Sequence, residues 1–309
     1  MKGLVCRNIS KRYPTGKVAL KSMSLSVESK GIFALIGRNG AGKTTLVRIL
    51  ATQMMPTSGT ASIDGIDIIR EPGRLRQEIA IVPQEARAIP WLTPMETVYS
   101  YLLWRGFESG EAKKRARKAL NDVGMGDQAD KMNQYLSGGM KRKVLVATVI
   151  ASEARIIFLD EPTTGLDPIS RSDLWKMLAK LKKERFIFLT THYLDEAEKL
   201  ADSIAIVEEG KLVASGTIEE LRGKVKYPYS IKLLDGNTKV PKVRGKVIKG
   251  LDGSIQILTG EDEAYSVSKE LIKKGTKFAL GPLTLDDIFY SLVRKKIEGD
   301  DDGDEEENW

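Results

Sequence analysis

Apolar residues follow two different patterns along this chain, and the switch between them outlines a fold. "IFALIG" (32–37), "RIIFLDE" (155–161) and "FIFLTTH" (186–192) are short and almost continuously apolar. Such runs suit strands covered on both faces, as in a largely parallel sheet. Between the last two, "SRSDLWKMLAKLKKER" sets Leu174, Met177, Leu178 and Leu181 at i, i+3, i+4 and i+7, one stripe of an amphipathic helix. Strands alternating with helices predict an α/β architecture. From about 86 to 143 the texture becomes helix-rich and strongly charged, which reads as a helical insertion carried on the sheet. "SIAIVEEGKLVASG" (203–216) reads as a hairpin turning at Glu209-Gly210. Beyond Gly223, "YSIKLLDG", "GKVIKGLDGSIQILTG" and "TKFALG" are short alternating runs punctuated by glycine, which predict a small strand-rich C-terminal domain. The expected division is 1–223, 225–298 and an acidic, disordered tail over 299–309.

Composition narrows the class. The chain has 309 residues, of which 41% are hydrophobic and 29% charged, as in ordinary globular proteins. The best candidate for a membrane helix, "VLVATVIASEARIIFL", is interrupted by Glu153 and Arg155, and the N-terminus shows no signal-peptide pattern. A lone cysteine, Cys6, excludes an internal disulfide and fits a reducing, cytoplasmic setting. Eight of the 42 acidic residues crowd into the last twelve, so the rest of the chain is more basic than the net charge of +7 indicates. Its clusters, "KKRARK" (113–118), "KRK" (141–143), "KLKKER" (180–185) and "RKK" (294–296), read as solvated helix faces or as attraction for an anionic membrane. None is interleaved with aromatics, so no nucleic-acid partner is expected.

Two segments carry phosphate chemistry. "GRNGAGKTT" fits G-x-x-x-x-G-K-[ST] between a strand and a helix. The backbone of Gly37, Asn39, Gly40, Ala41 and Gly42 should wrap phosphates, with Lys43 on the β/γ-phosphates, Thr44 on Mg²⁺ and Thr45 beside them. "IIFLDEP" ends a strand with adjacent carboxylates, Asp160 for Mg²⁺ and Glu161 for polarising the attacking water. Strand alternation sends such neighbours to opposite sides. A second glycine turn, "LSGGMKRKV" from Leu136, also resembles the start of a phosphate-binding helix.

With the phosphate loop at 37–44, "LSGG" at 136–139 and "FLDEP" at 158–162 in that order, residues 3–222 resemble the ATP-binding cassette (ABC) ATPases. The resemblance implies a P-loop fold with a mixed sheet and helical insertion, ATP and Mg²⁺ as ligands, and further roles. Tyr13 matches the aromatic that stacks on adenine, although a packing tyrosine would read the same. Gln84 matches the glutamine that meets Mg²⁺ and the attacking water, Asp167 the D-loop aspartate, and His192 the histidine that touches the γ-phosphate. In that family Ser137, Gly138 and Gly139 cap the nucleotide of a partner cassette, so a second chain is implied, as a homodimer, together with a separately encoded transmembrane permease. "SGGM" followed by basic residues, "LTPMETVYSYLLWRG" and "LTLDDIFYSLV" resemble the drug-resistance, lipid and polysaccharide exporters, which would place the protein on the inner face of the membrane. The alternative is an ABC ATPase acting on ribosomes, nucleic acid or cofactor assembly.

Overall fold

The structure, a computed structural model, describes residues 3–234, 243–249 and 255–297. The acidic segment 299–309 lies outside the described residues. The chain divides into two compact units, one ending at Ser215 and the other starting at Gly216.

In the first unit, β1 (Gly3–Arg12) and β2 (Val18–Glu28) pair antiparallel. β3 (Ile32–Ile36) enters a second sheet and leads to α1 (Lys43–Leu50). β4 (Ser58–Ile63) and β5 (Ile66–Asp67) complete the antiparallel sheet in the order β2-β1-β4-β5. α2 (Pro72–Glu78) precedes β6 (Ile79–Val82). The expected helical insertion follows as α3 (Pro94–Trp104), α4 (Ser109–Asp122) and α5 (Gly138–Ala151). The remaining elements are β7 (Ile156–Asp160), α6 (Pro168–Leu181), β8 (Phe186–Thr191), α7 (Leu194–Leu200), β9 (Ser203–Glu208) and β10 (Lys211–Gly216).

The second sheet runs β10-β9-β3-β8-β7-β6, with β9, β3, β8, β7 and β6 parallel along their shared edges. Every residue of β3, β7 and β8 is buried, because both faces are covered. Ile32, Ile157, Leu159, Ile187 and Leu189 face the core shared with α3, α4, α5 and α6. The alternate residues Phe33, Phe158 and Phe188 face α1 and the antiparallel sheet. Phe33 and Phe158 flank Phe188 in register, at ring separations of 5.0 and 5.4 Å. That ladder fixes which residue ends each strand, and hence which side chain meets the phosphate loop. Cys6 is buried on β1, and burial pushes its thiol up to about 12.

Two glycines close the frame around the loop. The β9–β10 turn has left-handed φ at both Glu209 (47°) and Gly210 (78°), which suits a tight hairpin. Gly210 donates its N–H to Ala41 O at 3.0 Å and accepts from Lys21 N at 2.8 Å. A Cβ at Gly210 or at Gly42 would stand 2.6 Å from the same carbonyl, that of Ala19.

The second unit contains α8 (Ile218–Arg222), β11 (Tyr229–Leu233), β12 (Gly245–Lys249), β13 (Ile255–Thr259), α9 (Glu261–Lys273), β14 (Phe278–Pro282) and α10 (Leu285–Ile297). Its sheet is antiparallel in the order β12-β13-β11-β14. The short alternating runs are strands, but α9 and α10 add two helices to what reads as a strand-rich segment. Ala264, Val267 and Leu271 of α9 pack on Ile231, Leu233, Ile255 and Ile257. The unit also starts before the change of texture at Gly223. α8 belongs to it, with Arg222 Nε donating to Leu283 O at 2.9 Å.

Candidate nucleotide-binding and catalytic site

The parallel strands deliver their functional residues at one edge of the sheet, where α/β sheets present ligand contacts. β3 runs into the phosphate loop, β8 ends before His192, β7 ends at Asp160 and β6 precedes Gln84. Gly37 has no room for a side chain, since a Cβ would lie 2.3 Å from Val207 O. Gly42 has φ +105° and serves as the N-cap of α1 without any side-chain cap. The first turn of α1 holds no acidic residue, so its N–H groups and its positive end face the loop. Asn39 and Gly40 form an exposed tip, and Ala41 is buried beneath it.

Lys43 is buried, and its ammonium donates to Gly37 O (2.8 Å) and Arg38 O (3.2 Å). It lies 3.5 Å from Glu161 Oε1. Thr44 Oγ1 donates to Asp160 Oδ1 at 3.3 Å. Thr45 Oγ1 is 3.0 Å from the Tyr13 hydroxyl, which places that ring beside the first turn of α1.

Asp160 and Glu161 do not go to opposite sides as strand alternation requires. Glu161 has a left-handed backbone, φ +48°, so alternation ends at Asp160 and the next side chain returns to the loop. Glu161 Oε2 accepts from Gln84 Nε2 (3.1 Å) and Thr164 Oγ1 (3.2 Å). His192 Nδ1 stands 3.1 Å from the same oxygen but off hydrogen-bond alignment, which leaves it a buried nitrogen without a hydrogen-bond partner among the described residues. Burial raises the Asp160 carboxyl above its ordinary range, against the opposing hydroxyls of Thr190 (2.5 Å) and Thr44. A cation beside it would reverse that shift.

Lys43, Thr44, Gln84, Asp160, Glu161 and His192 therefore form one connected group. Ser137, Gly138 and Gly139 stand outside those contacts, at the start of α5. Ser137 Oγ caps the helix by accepting from Met140 N at 3.2 Å. Ser137 and Gly138 are exposed, and a Cβ at Gly138 would meet nothing within 4 Å among the described residues. Gly139 is glycine for a local reason: a Cβ would stand 2.5 Å from Ser170 Oγ. Asp167 caps α6 through Ile169 N (3.0 Å) and Ser170 N (2.9 Å). The Ser170 hydroxyl, 2.6 Å away, holds the Asp167 carboxyl below the usual range.

Two residues of this region escape a reading of the sequence. Arg142, inside the basic triplet, is 8% exposed and points under the end of β7. It lies three residues after buried Gly139 and four before buried Val146, so helical periodicity places it on the covered stripe of α5. Glu196 is fully buried in α7, accepting from Thr163 Oγ1 (3.1 Å) and Trp175 Nε1 (2.9 Å). Its signal is the four-residue spacing to buried Leu200.

A phosphate loop opening a helix, with two carboxylates, a glutamine and a histidine converging on it and a glycine turn presented elsewhere, defines an ATP-binding cassette. Residues 20–164 match the ABC transporter family model, and the chain belongs to the ABC ATPases. It is 37% identical over 211 residues to the daunorubicin/doxorubicin resistance ATP-binding protein DrrA of Streptomyces peucetius, covering 68% of this chain and 64% of the relative. It is 38% identical over 216 residues to the human retinal-specific phospholipid-transporting ATPase ABCA4, covering 70% of this chain and 10% of the relative. The chain thus spans less than two thirds of either relative. The dimeric post-hydrolysis cassette MJ0796 bound to ADP and Pi superposes with a TM-score of 0.64 at 26% identity, over 70% of this chain and 98% of that one. Among the described residues, no helix is long and apolar enough to cross a membrane.

Proposed function

We propose that this chain hydrolyses ATP as the nucleotide-binding subunit of an exporter, two copies closing head to tail over two nucleotides to drive a separately encoded permease. The observation that carries the reading is the division of the site. Gln84, Asp160, Glu161 and His192 converge on Lys43 and Thr44 of the phosphate loop, while Ser137 and Gly138 are presented outward, with open space over Gly138 among the described residues. A glycine that no described residue crowds suits close approach by a phosphate from outside.

Lys43 would exchange its loop carbonyls for the β/γ-phosphate oxygens, beside the N–H groups of α1. Glu161 would accept a proton from the attacking water, held in place by Gln84 and Thr164. His192 would donate to a γ-phosphate oxygen through an imidazole nitrogen, and its unpartnered Nδ1 supports that role. Tyr13 would stack on the base, and Asp167 would hold the start of α6 against Gly139. Mg²⁺ fits the oxygen donors of Thr44 and Asp160, with Gln84, held by Glu161, as a further ligand, and when bound would neutralise phosphate charge. From the partner chain, Ser137 and the two glycines would close over the γ-phosphate, so its loss on hydrolysis would let the pair separate.

Relatives named for drug resistance and phospholipid transport support the exporting direction. Exposed apolar residues support a docking partner. Trp91 is 71% and Trp104 92% exposed, and the Trp91 segment is tied to the Tyr135 segment through Asn133 N to Leu92 O (2.8 Å). Such a surface, on a chain held near an anionic leaflet by its basic body, suits a peripheral subunit.

The test is complementation. Lys43→Ala and Ser137→Ala chains should each be inactive, because each damages both sites of a homodimer. Mixed, they should recover about a quarter of wild-type turnover, since random pairing gives dimers in which both defects fall on one site. A mixture as inactive as its parents sinks the composite site.

A further inference from the structure

The mechanism above leaves the buried guanidinium of Arg142 without a task. Arg142 Nε donates to Pro162 O at 2.8 Å, and Nη2 donates to Asp160 O and Glu161 O, both at 3.1 Å. Nη1 lies 3.5 Å from Pro83 O, the residue before Gln84. One guanidinium therefore spans three consecutive carbonyls where the chain leaves β7 and Glu161 turns left-handed, and it touches the backbone that carries Gln84. Those two residues meet side chain to side chain at 3.1 Å. Arg142 also sits on α5, five residues after Ser137, about 7.5 Å along the helix.

We propose that Arg142 is a positioning residue that ties the helix bearing the glycine turn to its own chain's Glu161 and Gln84, so that the helix presenting Ser137 to the partner also holds this chain's catalytic carboxylate in place. The proposal rests on the composite-site reading. The planar fork is what the task requires. Its N–H groups reach several carbonyls at fixed angles, whereas a lysine offers one rotating point charge. Burial brings the guanidinium down to about 10, with Arg87 adding to that, while Asp160, Glu161 and Glu196 hold it up. It stays charged at neutral pH and keeps all its donors.

The variant is Arg142→Lys, with Arg142→Gln as a second should the lysine chain fold poorly. The readouts are steady-state ATPase kinetics and equilibrium binding of a fluorescent ATP analogue. The expected result is a kcat lower by at least about tenfold, from a displaced carboxylate, with nucleotide affinity within about twofold. Loss of kcat and affinity together would reduce Arg142 to a packing role and overturn the proposal. Mixing Arg142→Lys with Ser137→Ala chains then asks which site Arg142 serves. Acting on its own chain, its defect shares a site with the partner's Ser137→Ala defect, and activity recovers. No recovery, while Lys43→Ala with Ser137→Ala does recover, means that Arg142 serves the partner's nucleotide and overturns the proposal. If neither mixture recovers, the composite site has failed, and the tie to Ser137 falls with it.

Discussion

Glu161→Gln should act in opposite directions on the empty and the nucleotide-bound protein. Both members of the Lys43–Glu161 pair are buried, 3.5 Å apart. At an effective dielectric near 20 their attraction is about 5 kcal/mol. The substitution keeps the shape and removes the charge. Lys43 retains its carbonyl acceptors at 2.8 and 3.2 Å, and the desolvation of Glu161 itself disappears. Together these leave a net loss of about 2 kcal/mol, which lowers the melting temperature of a unit this size by about 4–8 °C. With MgATP the sign changes. The γ-phosphate supplies the counter-charge to Lys43 and no longer faces a carboxylate, so ATP should raise the melting temperature more in the variant than in the wild type. Turnover should fall by about 10²–10⁴, the range of a lost general base. Thermal melts with and without MgATP, beside phosphate release, read all three. Turnover within threefold of wild type would refute the water-polarising role. A melting temperature unchanged without nucleotide would refute the counter-charge argument.

Glu196 makes a pH-dependent contribution whose sign follows from its burial. Its carboxyl is raised above 4.5, so the folded state binds the proton more tightly than the unfolded chain, and stability falls as pH climbs from about 4.5 through the raised value. Glu196→Gln can still accept from Trp175 Nε1 through its one carbonyl oxygen and turn its amide NH2 to donate to Thr163 Oγ1, without that titration. Denaturant midpoints of variant and wild type should diverge in the variant's favour as pH rises, and a constant difference would contradict the assignment. Tyr13→Ala should raise the KM for ATP roughly tenfold through lost stacking. Tyr13→Phe, which gives up only the bond to Thr45, should stay near wild type, and equal effects of the two would locate the role in the hydroxyl.

Much of this site was legible because its residues end strands that are covered on both faces. "IFALI", "IIFLD" and "FIFLTT" could be read as strands for the same reason that Phe33, Phe158 and Phe188 stack, and the residues that follow each were in place. What stayed hidden depends on tertiary contact or on backbone conformation. The turn of Glu161 back to Lys43 comes from a left-handed residue, and nothing in a glutamate signals one. Arg142 lies in a basic run that reads as a solvated face. Its carbonyl partners come from segments up to 59 residues away in sequence. The helices α9 and α10 were hidden for a simpler reason. Glycines punctuate the short strand-like runs and dominate the texture of this segment, while the apolar spacing of Ala264, Val267 and Leu271, or of Leu285, Ile288 and Phe289, carries the helical signal.

The Glu209–Gly210 turn joins two strands in two residues, the kind of short loop usually chosen for opening a chain. Its Gly210 is instead wedged against the Ala19 carbonyl that also confines Gly42, and it is hydrogen-bonded to Ala41 inside the phosphate loop. An epitope tag, a fused reporter or a circular permutation placed there would be transmitted to the nucleotide's cradle through a single peptide group. A genetic screen would then score an apparently remote surface insertion as a loss of ATP binding. The three segments around residues 19, 42 and 210 therefore have to be redesigned as one unit.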